Sequence, residues 1–423
     1  MKLKPQISLA IAALAMLLTG PASASADAVT DWNEIAVQTV VAAGTQRPGA
    51  TGFIDVAVVQ AAVYDAVQAI DRRFKPYLVE IPGASGSMSA AAAKAAHDVL
   101  VNRFPSQSGF LDMTYHQYLA NHGLSESDPG VAVGTTAAAG VNAKRSCDGS
   151  FPNPAPPDFL GGNGIGVWRP TPPGFLPMLA PWLATTTPFT LTRPSQFRSP
   201  IPPAVTSQQY TDEYNEVKEK GALNNSTRTP EETDMAQFFA ANYFVMLNQT
   251  LRGIASRSVN NIGDSARLFA LAEMATADAL ITAWDTKKYY VYWRPVTAIQ
   301  EGNNDGNPNT VGDTSWLPLI ISPNYPDVTS GANNVSAATF RSLELFFGTD
   351  VMTFKVTTTN TGPTNMDTRV YNRFSDVLSD VVNARIWEGI HFRFADTEAR
   401  TQGTRVANWA FTNFLRPIDE PNQ

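Results

Sequence analysis

One stretch limits how this chain can fold more than any other. Fourteen of its thirty prolines lie between Phe151 and Pro203, together with Gly161-Gly162-Asn163-Gly164. Proline removes backbone donors and glycine disfavours regular structure, so no long helix or strand can run through it. The same stretch carries Phe159, Trp168, Phe175, Leu176, Met178, Leu179, Trp182 and Phe189. A free linker would not hold so much apolar surface. The reading is an extended connector, residues 151–206, packed on the outside of its neighbours.

Both neighbours read as helix. Apolar residues recur at three- and four-residue steps in Ile35 to Val41 and in Phe53 to Ile70, and Ala90 to Leu100 is alanine-rich enough for close helix contact. After the connector, helix is expected at Ser207 to Lys220. It is expected again after Thr229-Pro230-Glu231-Glu232, which has the form of a capping box with proline at the first helical position. The clearest helix runs from Ser265 to about Trp293. Two more are expected near Asn333 to Phe347 and Tyr371 to Asn383, with no strand-rich block. The fold class is all-α: two packed helical bundles, residues 27–150 and 207–423, joined by the Pro/Gly-rich connector as one folded unit.

Residues 1–26 read as a signal peptide. Lys2 and Lys4 precede an apolar run from Ile7 to Leu18, and Ala22-Ser23-Ala24-Ser25-Ala26 offers a cleavage site. Export to the periplasm or beyond is expected, and no later segment reads as a membrane span. The net charge of −7 argues against a nucleic-acid partner and requires any bound anion to sit in a local cationic pocket. Cys147 is the only cysteine, so no intrachain disulfide can form. The four histidines are His97, His116, His122 and His391, which leaves few candidates for acid–base or ligand chemistry.

Three segments carry chemistry. In Lys287 to Pro295, Lys287 and Arg294 are seven apart, so on one helix they share a face, and Pro295 places Arg294 at the helix end. Such a pair suits several oxygens of one anion, although basic helix faces are usually just solvated. Thr329-Ser330-Gly331-Ala332 enters a helix, presenting a hydroxyl and free N–H groups worth about 0.3–1 kcal/mol to an anion; it reads equally as a plain N-cap. In Ala384 to Phe394, Arg385 adds a charge and His391 an imidazole. Six steps do not return to one helix face, so a bend is expected, and Gly389 can supply it.

Together, Lys-x6-Arg-Pro, Ser-Gly at a helix start and Arg-x5-His resemble the signature of the vanadium-dependent haloperoxidase and type-2 phosphatidic acid phosphatase superfamily. Asp31-Trp32-Asn33, Ala62 to Val67, Trp168 to Pro173 and Trp293 to Ile299 are similar to its bacterial haloperoxidase-like branch. The resemblance implies vanadate, or phosphate in its place, held by Lys287, Arg294, Ser330, Gly331 and Arg385. It makes His391 the axial ligand to vanadium, or the nucleophile toward phosphorus. The small-molecule substrates it implies are peroxide and halide, or a phosphate ester.

The chain departs from that pattern in two places of weight, besides Ala384 where the family has a serine before the arginine. Ala332 replaces the histidine that serves the family as a second acid–base group, a loss of about 10²–10⁴ in rate. The acid expected four residues after His391 is Ala395, with Asp396 one further on, from where it could orient His391; Glu388 could also approach the pocket. Trp284, three residues before Lys287, offers an aromatic wall or plain core packing. Three readings follow: an impaired haloperoxidase, a phosphatase on the same cage, and a non-catalytic oxyanion-binding protein. The first is favoured on whole-chain likeness.

Overall fold

The computed structural model describes residues 27–358 and 360–418. The leader expected over residues 1–26 lies outside them. Five helices form the N-terminal region: α1 (Ala28–Ala42), α2 (Gly52–Asp71), α3 (Met88–Arg103), α4 (Ser108–Asn121) and α5 (Pro129–Arg145). After the connector come α6 (Gln208–Lys220), α7 (Pro230–Phe239), α8 (Tyr243–Ser258), α9 (Ile262–Tyr290), α10 (Pro295–Gln300), α11 (Gly331–Phe347), α12 (Phe374–Trp387) and α13 (Arg393–Asn413). The all-α reading is correct. Thr229 and Glu232 cap each other's backbone at the start of α7, with Pro230 at the first helical position.

The sequence reading overlooked a small β-hairpin, β1 (Val351–Thr357) and β2 (Thr368–Arg373), paired antiparallel with Phe354 opposite Tyr371. Phe354 and Val356 turn inward while their neighbours stay largely outside, the alternation a half-buried strand requires. A second correction concerns membrane spans. Residues 49–71 are long and apolar enough to cross a bilayer, but 89% of the relevant window is buried inside the protein. This is the core helix α2, packed against α3, α5 and α9.

The centre of the fold is α9. Its 29 residues are buried on nearly every side, with α2 on one flank and α11 and α13 on the other. Close approach of α11 and α13 depends on Gly403, where a Cβ would fall 2.3 Å from the Asn334 carbonyl oxygen. The stretch between α5 and α6 contains two short 3-10 turns, Pro181–Thr185 and Pro194–Phe197, and no α-helix. It is tied down by polar contacts. Asp278, buried in α9, accepts from the backbone N–H groups of Phe189, Thr190 and Leu191 and from the Thr190 hydroxyl. Trp168 is fully buried, stacks on Phe159 and donates its backbone N–H to Val291 at 2.7 Å.

Candidate active site

Lys287 sits in the last turn of α9, wholly buried, its Nζ donating to the carbonyls of Pro326 (2.7 Å) and Asp327 (2.9 Å). The helix then stops at Tyr290. Val291 takes left-handed geometry (φ 51°), the chain turns, and Arg294 is extended (φ −87°, ψ 155°) at the N-cap of α10. The shared helix face inferred for Lys287 and Arg294 is therefore incorrect, because the helix ends before it can carry both. The effect of Pro295 is as expected: the residue before proline is kept out of helical geometry.

Arg294 is also wholly buried. Its Nε donates to the Tyr325 carbonyl at 2.8 Å and its Nη1 to the Ile390 carbonyl at 2.6 Å. Nη1 also lies 3.2 Å from His391 Nε2, placing the guanidinium against the imidazole. Nη2 has no hydrogen-bond partner. Arg385, at the end of α12, pairs through Nη1 with Glu388 at 2.6 Å, and its Nε likewise has no partner. Gly389 supplies the expected bend at φ +80°, where an added Cβ would meet the Gly221 carbonyl oxygen at 2.4 Å. The bend turns His391 back into the same interior, ahead of α13.

The imidazole is oriented by Asp327, whose Oδ1 is 2.6 Å from His391 Nδ1; both residues are buried. The sequence reading offered Asp396 as a residue that could take that orienting role. The structure instead places Asp396 against Asn333, whose Nδ2 donates to it at 2.8 Å, and beside Ser330. Asp327 carries no motif of its own; its only sequence signal is being an acid three residues before Ser330. Glu388, which the spacing left free to approach or not, reaches the site through its pairing with Arg385.

Ser330 caps α11, its Oγ accepting from the Asn333 backbone at 3.5 Å, and Gly331 opens the helix. Trp284 faces the same space, 3.3 Å from where a Cβ on Gly331 would sit. With Ala332, Tyr243, Tyr325 and Arg385, Trp284 and Gly331 line a cleft of about 380 Å³. None of the other histidines borders it. His97 bridges Asp98 and Asp112, His116 pairs with Glu126, and His122 stacks on Tyr118. Cys147 is exposed.

Electrostatics follow from burial. Burial first, then Arg294, Lys287 and Arg385, hold the His391 imidazole well below the usual histidine range. A neutral ring donating to Asp327 through Nδ1 leaves Nε2 as the acceptor nitrogen, here facing Arg294 Nη1 at 3.2 Å; this tautomer is assigned from the Asp327 pairing. Burial, then Arg294, also holds the Lys287 ammonium well below the lysine range. Burial pushes Asp327 and Glu388 up to about 7 despite their cationic partners, and raises Asp396 well above the carboxylate range. Burial works against the Arg385 charge too, but Glu388 outweighs it. The two guanidiniums are thus incompletely balanced, and each keeps a buried N–H with no hydrogen-bond partner. A tetrahedral oxyanion fits those donors and that charge.

Residues 267–420 match the model of the VCPO second helical-bundle domain. Over 210 residues the chain is 28% identical to the vanadium chloroperoxidase of Curvularia inaequalis, an alignment covering 42% of this chain and 34% of that protein. The chain thus aligns with about a third of the length of this curated relative. Its fold is similar to that of the first bacterial vanadium-dependent iodoperoxidase (22% identity, TM-score 0.76, covering 92% of this chain and 97% of that one). It is also similar to a holo-type bacterial vanadium-dependent chloroperoxidase (18% identity, TM-score 0.70, covering 93% of each chain). The matched region carries Lys287, Arg294, Ser330, Arg385 and His391, and over it the chain is similar to the second helical bundle of vanadium chloroperoxidase, with a fold shared by bacterial vanadium haloperoxidases.

Proposed function

We propose that the buried cage holds vanadate and that the protein is a vanadium-dependent peroxidase acting on halide. The observation that carries this reading is the convergence of Lys287, Arg294 and Arg385 on His391, with Arg294 Nη2 and Arg385 Nε left without partners. Bound vanadate supplies activation of hydrogen peroxide toward halide with no change in the metal's oxidation state. Lys287, Arg294 and Arg385 hold its oxygens by charge, and Ser330 and the Gly331 N–H add neutral donors at the start of α11. His391 would hold the vanadate through its Nε2 lone pair, steadied through Nδ1 by Asp327. Export after removal of residues 1–26 completes the proposal, supported by the charged, apolar and small-residue order of that segment.

A second reading, phosphate-ester hydrolysis with His391 as nucleophile, is favoured by one feature. Ala332 places no titratable group on the α11 side of the cleft. An ester whose leaving group departs as a weak base needs no acid there.

The test is a titration of phosphate-free protein with orthovanadate, followed by binding heat and thermal stability, beside His391→Ala and Arg385→Ala. Saturable binding that both substitutions abolish supports the cage. Bromide oxidation and ester hydrolysis then separate the two enzymes. A folded protein that binds nothing overturns both and leaves the family fold without its site.

A further inference from the structure

The cleft beside the cage is lined largely by small and apolar residues, including Gly49, Ala50, Ala240, Ala241 and Val335. Its polar side chains are mostly committed elsewhere. Asn242 Oδ1 accepts from the Phe244 backbone at 3.1 Å, and Trp284 Nε1 donates to the Leu179 carbonyl at 3.0 Å. Tyr243 differs. It is 8% exposed, its hydroxyl is shielded from solvent, and its neighbour Arg385, a donor only, leaves the hydroxyl proton without an acceptor. A buried donor without an acceptor is unfavourable, so such a group in a binding cleft points to a ligand that supplies the acceptor.

Its surroundings indicate what that ligand is. The Arg385 guanidinium carbon lies 5.7 Å from the Tyr243 ring centroid, and Arg385 Nε is itself unpartnered. Two donor groups from different helices, the phenol O–H at the start of α8 and the unpartnered Arg385 Nε at the end of α12, therefore border one cleft. Ala332, facing the same cleft from α11, offers only a methyl group.

We infer that Tyr243 is a further anion-binding residue, its hydroxyl donating to an oxygen of the oxyanion held by Arg385 and giving the cleft the polar donor that Ala332 does not. The inference rests on the oxyanion reading of the cage. No titration is involved. Burial, opposed by Arg385, keeps the phenol proton well above the usual tyrosine range, so the group is a donor at every working pH.

The experiment compares wild type with Tyr243→Phe, titrating each with orthovanadate and with inorganic phosphate by calorimetry and melting each without anion. Phenylalanine fills the same space, so the anion-free melting temperature should hold or rise as an unsatisfied hydroxyl is removed. Affinity for both anions should fall by about 10-fold or more, the usual cost of losing a hydrogen bond to a charged group. Equal affinity in the two proteins overturns this assignment alone and leaves the cage standing. A lower anion-free melting temperature with unchanged affinity makes Tyr243 structural and also overturns it. A wild type that binds neither anion overturns the cage and this assignment together.

Discussion

Asp327 Oδ1 lies 2.6 Å from His391 Nδ1, and neither side chain reaches solvent. The contact joins the loop before α11 to the turn before α13 and fixes which imidazole nitrogen faces the cage. Asp327→Asn retains the shape but not the acceptor strength, and it should weaken orthovanadate binding by about 10- to 100-fold. Calorimetry decides this. Unchanged affinity would show that the imidazole is held by packing alone.

Glu388 gives a pH signature. Burial raises its folded pKa from 4.5 to about 7, against the opposing pull of Arg385. Between those values the folded state binds more protons than the unfolded state, so this group's contribution to stability is present below pH 4.5 and is lost as pH rises through 7. Glu388→Gln cannot ionise, so its melting temperature should gain on wild type as pH rises from 5 to 8. Parallel pH profiles for the two proteins would mean that Glu388 is ionised throughout and paired with Arg385.

Gly389 is predicted to tolerate no side chain. At φ +80°, with the Gly221 carbonyl oxygen 2.4 Å from where a Cβ would sit, Gly389→Ala should cost about 2 kcal/mol or more and displace His391. Chemical denaturation measures the first effect and vanadate affinity the second.

Asp278 holds the connector to α9 through three backbone donors and one hydroxyl. Asp278→Ala leaves those donors without an acceptor and should destabilise the protein by about 3 kcal/mol. An early protease cut between Phe151 and Pro203 would report the loosened segment. A melting curve that matches wild type would mean that the connector's apolar packing suffices.

Ala332 can be tested by restoration. The residue borders open cleft, so Ala332→His can be accommodated, and on the peroxidase reading it should raise peroxide-dependent bromide oxidation by about 10² or more. If only ester hydrolysis rises, the phosphatase reading gains.

The helices, the absence of helix through the proline-rich stretch and the segments carrying Lys287, Arg294, Ser330, Arg385 and His391 were legible because each leaves a local trace: a period, a cap, a proline or a spacing. What the sequence hid was non-local. The Lys-x6-Arg spacing is the same whether the helix continues or stops, and only the left-handed turn at Val291 decides. Asp327 and Asp396 are both plausible partners for His391 along the chain, and tertiary path alone selects Asp327. Tyr243 lies outside every motif segment. The residue 49–71 helix is apolar all round because it is enclosed by other helices, a composition that a membrane span would share.

The cage is held as much by peptide carbonyls as by side chains. Pro326 and Asp327 receive the Lys287 ammonium, Tyr325 and Ile390 receive the Arg294 guanidinium, and a carbonyl is the same whatever residue carries it. The cleft walls are therefore a separate design variable from its floor. A library that changes residues such as Ala50, Ala240, Ala241 and Val335 while preserving the chain path can reshape what enters the cleft without dismantling what waits inside.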